Sequence, residues 1–341
     1  MNQTKSLILS MSLALLFLYI PTLKAEEKAL ATPTTVKIPE SEDVPGWTYQ
    51  KYLLAFKLSG RNTSLTAQEF AKLRERKQVM LWNIRHFLTS KFGQADPKIL
   101  KAFQDMPREY FQYDYQKQSD FSKTAYEDPA RSWALGWGSA LSDYDGQAYM
   151  AQLAHPRPKD RVLEIGTGSG FNVALFSRLV KKAYSIEIIQ PLGEAVSQIF
   201  KPLGYTNIRT RVGDGYYGWK SAGKFDIIIF TCTAKYVPPA LFKQLKPGGR
   251  IIIPIGQPFK HHQILYTYHL DPQGKVHSKK NIPVYFIPME GKMYEPKDTK
   301  LQKTAPSQPA PSPLPQAGPS SNQTPIPTRT PKPAPFYPQP A

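Results

Sequence analysis

Three glycines and an acidic residue form the stretch of this sequence whose residue types and spacing could do chemistry. Gly166, Gly168 and Gly170 follow the short apolar run of Val162, Leu163 and Ile165, and Glu164 interrupts that run two residues before the first glycine. Glycines in a strand-to-helix turn can take positive φ and let the backbone approach a ligand closely. The spacing is G-x-G-x-G, not the G-x-G-x-x-G of dinucleotide enzymes. It suits a ligand without a pyrophosphate but with a positively charged amino-acid end, which Glu164 could hold directly or through water. S-adenosylmethionine fits this description.

Two further acids follow later predicted strands. Glu187 lies 21 residues beyond Gly166, where a carboxylate can accept hydrogen bonds from both ribose hydroxyls. Asp214 precedes Gly215 and is placed to meet the adenine amino group. A loose α/β connection at the glycines and a plain turn at Asp214 are the alternatives. The predicted cofactor-binding residues are Glu164, Gly166, Gly168, Gly170, Glu187, Asp214 and Gly215, with no metal ion.

The elements that must position these residues alternate between strands and helices. Beyond the glycine turn we predict strands at 183–188, 208–212, 225–230 and 250–255, and edge strands at 263–269 and 284–288. Helices are predicted at 67–92, 97–103, 143–154, 172–180, 191–203 and 238–245, with a loop at 112–138. Such alternation implies a mostly parallel sheet with crossover helices. We therefore expect a three-layer α/β fold of Rossmann-like type with a helical N-terminal addition.

The two ends of the chain differ from its centre in composition. Lys5 precedes the mostly apolar residues 7–20, a run shorter than the roughly 20 residues of a membrane span. Of 33 prolines, 13 follow Thr304. We predict a signal peptide at 1–25, a linker at 26–65, the main domain at 66–292 and a disordered proline-rich tail at 293–341. Export to the periplasm or the medium is expected, and an uncleaved N-terminal membrane anchor is the alternative.

Charge and cysteine content restrict the partners. The formal net charge is +18, which favours anionic partners, but no nucleic-acid-binding signature accompanies it. We therefore expect no nucleic acid, a monomer, and a tail that could contact an unknown envelope partner. Cys232 is the only cysteine, so no intramolecular disulfide can form. It follows a buried strand, and we interpret it as part of the wall and not as a nucleophile.

Several motifs are longer than a generic glycine turn, and they resemble the protein-L-isoaspartate O-methyltransferase family. They are 162–170 (VLEIGTGSG), 213–219 (GDGYYGW), 225–229 (FDIII), 241–250 (LFKQLKPGGR) and 253–256 (IPIG). Residues 96–97 (DP) and 106–111 (MPREYF) are similar to the family's helical N-terminal part, and 283–288 (PVYFIP) to its closing strand. The resemblance covers about residues 70–292. It implies the fold of an S-adenosylmethionine-dependent methyltransferase. It also implies the activity of such an enzyme on the α-carboxylate of L-isoaspartyl residues in damaged proteins, which is a repair reaction.

One departure concerns the acceptor. The family carries a Thr-Ile-Ser-x-Pro motif before the helix that leads to the central strand, whereas this chain has Ala140-Leu141-Ser142-Asp143-Tyr144. By resemblance Ser142 is the catalytic serine, which would aim a carboxylate that needs no base. The alternative for Ser142 is a helix cap. For the protein, the alternatives are a same-fold methyltransferase with another acceptor and a catalytically inactive exported binding protein.

Overall fold

The computed structural model describes residues 46–257 and 262–294. It begins with helices α1 (Tyr49–Leu58), α2 (Ala67–Phe92) and α3 (Pro97–Asp105). The prediction of a linker at 26–65 is wrong for its described part. Helix α1 lies there because Tyr52, Ala55 and Phe56 share one face and are buried against the domain. No helix within the described ranges is long and apolar enough to span a membrane.

Helix α2 has the predicted bounds because both of its ends carry strong local signals. Thr66 accepts a hydrogen bond from the amide of Glu69, whose side chain accepts one from the amide of Thr66, a capping box. Gly93 ends the helix with φ 80°, the left-handed conformation that glycine adopts without strain. Local chemistry therefore sets this element.

The segment between α3 and the next helix is more ordered than the predicted loop at 112–138. It forms two short antiparallel pairs, β1 (Tyr113–Asp114) with β2 (Ser119–Asp120) and β3 (Trp133–Gly136) with β4 (Ser139–Leu141). Helix α4 (Tyr144–Ala154) follows, and its cap is Asp143, which accepts a hydrogen bond from the amide of Gly146. The β3–β4 hairpin places residues 138–140 near the glycine turn.

A seven-stranded sheet forms the centre of the domain. In chain order its elements are β5 (Arg161–Ile165), α5 (Phe171–Ser177), β6 (Lys182–Glu187), α6 (Gln190–Ser197), β7 (Ile208–Val212), β8 (Phe225–Phe230), α7 (Pro239–Lys243), β9 (Leu245–Ile255), β10 (Gln263–Leu270) and β11 (Val276–Val284). The strand order is β11-β10-β9-β8-β5-β6-β7, parallel from β9 to β7 and antiparallel at β10 and β11. The predicted α/β fold class is confirmed.

Two predicted boundaries are wrong at the end of the sheet. The edge strand is 276–284 and not 284–288, because residues after Val284 leave β10 and pair with Thr233 instead. The amide of Thr233 donates to the carbonyl of Ile287, and the amide of Met289 donates to the carbonyl of Thr233. The domain also extends past the predicted end at residue 292, since Met293 is buried.

Strands β5 and β8 form the most buried part of the sheet. Val162, Leu163 and residues 227–230 have no exposed surface, as expected for parallel strands covered on both faces. Because β5, β6 and β8 run parallel, their carboxyl ends meet at one edge of the sheet. That edge carries the candidate site.

Candidate active site

A cavity of about 200 Å³ lies at the carboxyl ends of β5, β6 and β8. Six segments form its wall: the glycine turn after β5, the end of β6, the start of β4, Gly215 after β7, residues 231–232 after β8, and residues 287–290 beyond β11. Of the predicted cofactor-binding residues, it is lined by Gly166, Gly168, Glu187 and Gly215. The sequence therefore placed the site at the correct edge of the sheet.

Glu187 is the acidic group that the fold presents to this cavity from the end of β6. Its Oε2 accepts a hydrogen bond from the amide of Gly168 (2.9 Å), and its Oε1 accepts one from the amide of Ile189 (3.0 Å). Burial raises the pKa of the carboxyl, while backbone hydrogen bonds, the one from Gly168 foremost, act in the opposite direction. A carboxylate at this position fits the hydroxyls of a ribose, because its oxygens act only as hydrogen-bond acceptors.

Gly168 and Gly170 of the turn have different structural roles. Gly168 faces the cavity with φ 51°, and a Cβ there would lie 3.6 Å from the carbonyl oxygen of Ala140. Gly170, with φ 80°, instead packs against α6, where a Cβ would lie 2.9 Å from Val196. Gly170 is therefore needed for packing between the helices and is not on the cavity wall. Its predicted contact with the cofactor has no support in the structure.

Glu164 is withdrawn from the cavity wall, and the predicted contact with the cofactor, directly or through water, stays a prediction. It is 1% exposed; Oε1 accepts a hydrogen bond from Asn172 (2.7 Å), and Oε2 accepts one from Ser185 (2.6 Å). Burial, the largest cause, raises the pKa of this carboxyl to about 8, and the charge of Glu187 acts in the same direction. Glu164 thus ties β5, β6 and α5 together beneath the glycine turn.

Asp214 also fails to reach the wall. Its Oδ1 accepts a hydrogen bond from the amide of Tyr216 (2.8 Å), and its Oδ2 accepts one from the amide of Lys292 (2.9 Å). Asp214 therefore caps the turn that follows and fastens the end of the domain, while its neighbour Gly215 lines the cavity. The plain turn role is the one that the structure supports.

The serine on the wall is Ser139 and not Ser142. Ser139 is 6% exposed, and its Oγ lies 3.8 Å from where a Cβ on Gly168 would stand. Sequence analysis missed it because β3 and the turn before Ser139 fell in the predicted loop at 112–138, and no strand was predicted at β4. Ser142 lies half-buried between β4 and α4, outside the cavity wall, and Asp143 takes the capping role. The catalytic role of Ser142 stays a prediction.

The far wall follows β8. Thr231 Oγ1 donates a hydrogen bond to the carbonyl of Gly166 (2.6 Å), and Cys232 lines the cavity next to it. Burial, first, and the charges of Glu187 and Glu164 raise the pKa of the Cys232 thiol well above its usual value. The thiol is therefore protonated, as the wall interpretation requires.

The composition of the cavity fits S-adenosylmethionine. Its charged lining groups are the carboxyls of Glu187 and Glu290, and much of the remaining wall is isoleucine, proline and methionine. Apolar side chains suit an adenine ring, Glu187 suits the ribose, and two acids suit a cationic ligand. Gly168 leaves its backbone open to the ligand.

Comparisons with known proteins show which family the chain resembles. A family model described as protein-L-isoaspartate(D-aspartate) O-methyltransferase matches residues 75–294. The chain is similar to protein-L-isoaspartate O-methyltransferase 1 of Nitrosospira multiformis (45% identity over 157 residues, 46% of this chain and 66% of the relative). It is similar to the Opitutus terrae protein-L-isoaspartate O-methyltransferase (38% over 226 residues, 66% and 91%).

Solved structures give the same result. A protein-L-isoaspartate O-methyltransferase structure aligns with a TM-score of 0.55 and 27% identity, covering 64% of this chain and 67% of the other. The family match spans more than half of the 341 residues and contains all the segments that form the cavity wall. The chain therefore belongs to the protein-L-isoaspartate(D-aspartate) O-methyltransferase family.

Proposed function

We propose that this protein transfers a methyl group from S-adenosylmethionine to the α-carboxylate of L-isoaspartyl residues in damaged proteins. The observation that carries the proposal is that the family match at 75–294 includes the whole cavity wall. The cofactor supplies an electrophilic methyl group on a sulfonium ion. Partners are therefore proteins or peptides with isoaspartyl residues.

The residues of this chain bind and orient the reactants and carry no proton. Glu187 would hold the ribose, and the backbone at Gly168 leaves room for the amino-acid end of the cofactor. The acceptor is already an anion, so no general base is needed, and the charges of carboxylate and sulfonium cancel toward the transition state. The apolar wall excludes water and favours this cancellation. Catalysis then depends on alignment of the reacting atoms.

Calorimetry with S-adenosylmethionine, followed by a methyl-transfer assay on an isoaspartyl peptide, tests the proposal. We expect binding and transfer, and no transfer to the same peptide with a normal aspartyl residue. Absence of binding at millimolar cofactor would contradict the methyltransferase function. Binding without transfer would mean that the altered segment at Ala140–Tyr144 selects another acceptor, or that the chain is a binding protein without turnover.

We also propose that the protein is exported. The support is sequence pattern alone, Lys5 followed by the apolar residues 7–20, and these residues lie outside the described part of the chain. Mass spectrometry of the native protein should find a mature N-terminus near Glu26. A chain that still carries Met1 and fractionates with membranes would establish an anchor instead. The predicted tail from residue 295 onward also lies outside the described residues.

A further inference from the structure

Arg108 is a buried cation that contacts Ser142 in the segment Ala140–Tyr144, called the acceptor segment below. It opens a short 3-10 turn (Arg108–Phe111) after α3 and is 1% exposed. Neither the cavity wall nor the proposed chemistry uses it. Burying a guanidinium costs free energy that its partners must offset, so its surroundings show what it holds.

The guanidinium joins three separate elements. One terminal nitrogen donates a hydrogen bond to the carbonyl of Ser142 (2.7 Å), and the other donates to Gln147 Oε1 on α4 (2.6 Å). Its Cζ lies 4.9 Å from the ring centre of Phe171, the first residue of α5 after the glycine turn. The acceptor segment and the cofactor turn are therefore fixed to one side chain. Its planar fork makes this double donation from two nitrogens in a fixed geometry, which the single ammonium of a lysine does not have.

The charge of this group is not neutralised by direct contact. Within the described residues no carboxylate forms an ion pair with Arg108, and its buried Nε has no hydrogen-bond partner. Asp143 contributes the largest favourable charge interaction, but its Oδ1 accepts a hydrogen bond from Gly146. A pair placed for stability alone would bring a carboxylate into contact.

We propose that Arg108 is a positioning residue for the methyl acceptor: it holds the Ser142 segment in register with the glycine turn. This inference rests on the proposed function for the identity of the acceptor, but the fixing of the segment does not depend on it. The N-terminal helical addition thereby takes part in the site, because the turn after α3 supplies the side chain that sets the geometry.

A second buried arginine provides a matched control. Arg61 is 5% exposed, donates to the carbonyl of Tyr110 (2.8 Å) and stacks on aromatic rings, and it too has a buried nitrogen without a partner. It contacts neither Ser142 nor the glycine turn. Arg61→Gln therefore reproduces the loss of a buried guanidinium without touching the acceptor segment.

Hydrogen–deuterium exchange of residues 138–146 tests the fixing without any substrate. In Arg108→Gln we expect these amides to exchange at least about tenfold faster, while Arg61→Gln leaves them within about threefold of the wild type. Equal protection in wild type and Arg108→Gln would overturn the proposal. If Arg108→Gln does not fold, Arg108→Lys decides, because its single ammonium lacks the planar fork that reaches Ser142 and Gln147 from two separate nitrogens.

Steady-state kinetics then distinguish a positioning role of Arg108 from a loss of overall stability. For the isoaspartyl peptide, Arg108→Gln should raise KM or lower kcat so that kcat/KM falls at least about thirtyfold, with the Kd of S-adenosylhomocysteine within about threefold. Arg61→Gln should change neither by more than about threefold. Equal losses of peptide and cofactor affinity in Arg108→Gln would reduce Arg108 to a stability residue. If the wild type methylates no isoaspartyl peptide, the proposed function fails, and the exchange experiment alone decides this inference.

Discussion

The amide of Gly168 donates a hydrogen bond of 2.9 Å to the carboxylate of Glu187. This contact joins the turn after β5 to the end of β6, so the backbone proposed to approach the cofactor and the acid proposed to bind its ribose are held as one unit. Both hydrogen-bonding groups are held in position, because the Glu187 side chain is only 4% exposed and the donor at Gly168 is a backbone amide. The first prediction follows from this pair.

Glu187→Ala should weaken S-adenosylmethionine binding by about 2–3 kcal/mol, roughly 30- to 150-fold in Kd, because two hydrogen bonds from ribose to a carboxylate are lost. Calorimetry measures the effect. The control is Glu194→Ala, an exposed acid on α6 that bonds to Gln190 and is absent from the cavity wall. Unchanged affinity in Glu187→Ala would remove this residue from the site.

The two serines near the cavity should affect different steps. Ser139→Ala should weaken cofactor binding about three- to tenfold, since one hydroxyl on the wall is lost. Ser142→Ala should lower turnover about 10- to 1000-fold with little change in cofactor affinity, because it removes about 1.4–4 kcal/mol of alignment and charge stabilisation. The exposed Ser90→Ala is the control. Wild-type turnover in Ser142→Ala would show that Ser142 has no catalytic role.

Glu164 should make the protein less stable as the pH rises. Its pKa is about 8 in the folded protein against an ordinary 4.5, so the folded state binds more protons between these values. Its contribution is complete below pH 4.5 and is lost as the pH approaches 8. Glu164→Gln should flatten this part of the dependence in urea unfolding at several pH values.

A half-buried carboxyl, that of Asp145, titrates over an overlapping but lower pH range. Burial, followed by the charges of Asp143 and Asp128, raises the pKa of Asp145 from 3.8 to about 7, so Asp145→Asn should flatten the dependence over that lower range. If the stability curves of the wild type and Glu164→Gln run parallel between pH 4.5 and 8, the pH dependence in that range does not come from Glu164.

Cys232 should be unreactive in the folded protein. Its thiol is buried and its pKa is raised, so almost no thiolate exists at pH 8. Because it is the only cysteine, reaction with a thiol reagent reports on it alone. We expect the native protein to react at least about 100-fold more slowly than the urea-unfolded chain. Equal rates would mean that the wall around Cys232 opens readily.

Helix α1 should contribute to stability, in contrast to a linker. Phe56→Ala removes a ring that is 1% exposed and should cost about 3–5 kcal/mol of unfolding free energy. Leu58→Ala, at a side chain that is 63% exposed on the same helix, should change it by less than about 0.5 kcal/mol. Similar small effects of both substitutions would restore the linker interpretation.

The sequence alone determined the class of fold and the edge of the sheet that carries the site. Apart from Glu164 and Asp226, the run at 162–165 and the strand Phe225–Phe230 are apolar because both faces are buried, and the glycine spacing identified the turn between strand and helix. Capping signals at Thr66 and Gly93 fixed α2. These features are local, so a short stretch of sequence is enough to specify each of these elements.

Tertiary structure decided which of the candidate groups meet the cavity. Glu164 and Glu187 are both acids near strand ends, but Glu164 lies inside β5, where Ser185 and Asn172 reach it, whereas Glu187 ends β6. Ser139 reaches the wall because the β3–β4 hairpin turns it inward, and α1 forms because a distant core accepts Tyr52. These outcomes depend on contacts between residues far apart in the chain. Spacing along the sequence does not specify such contacts.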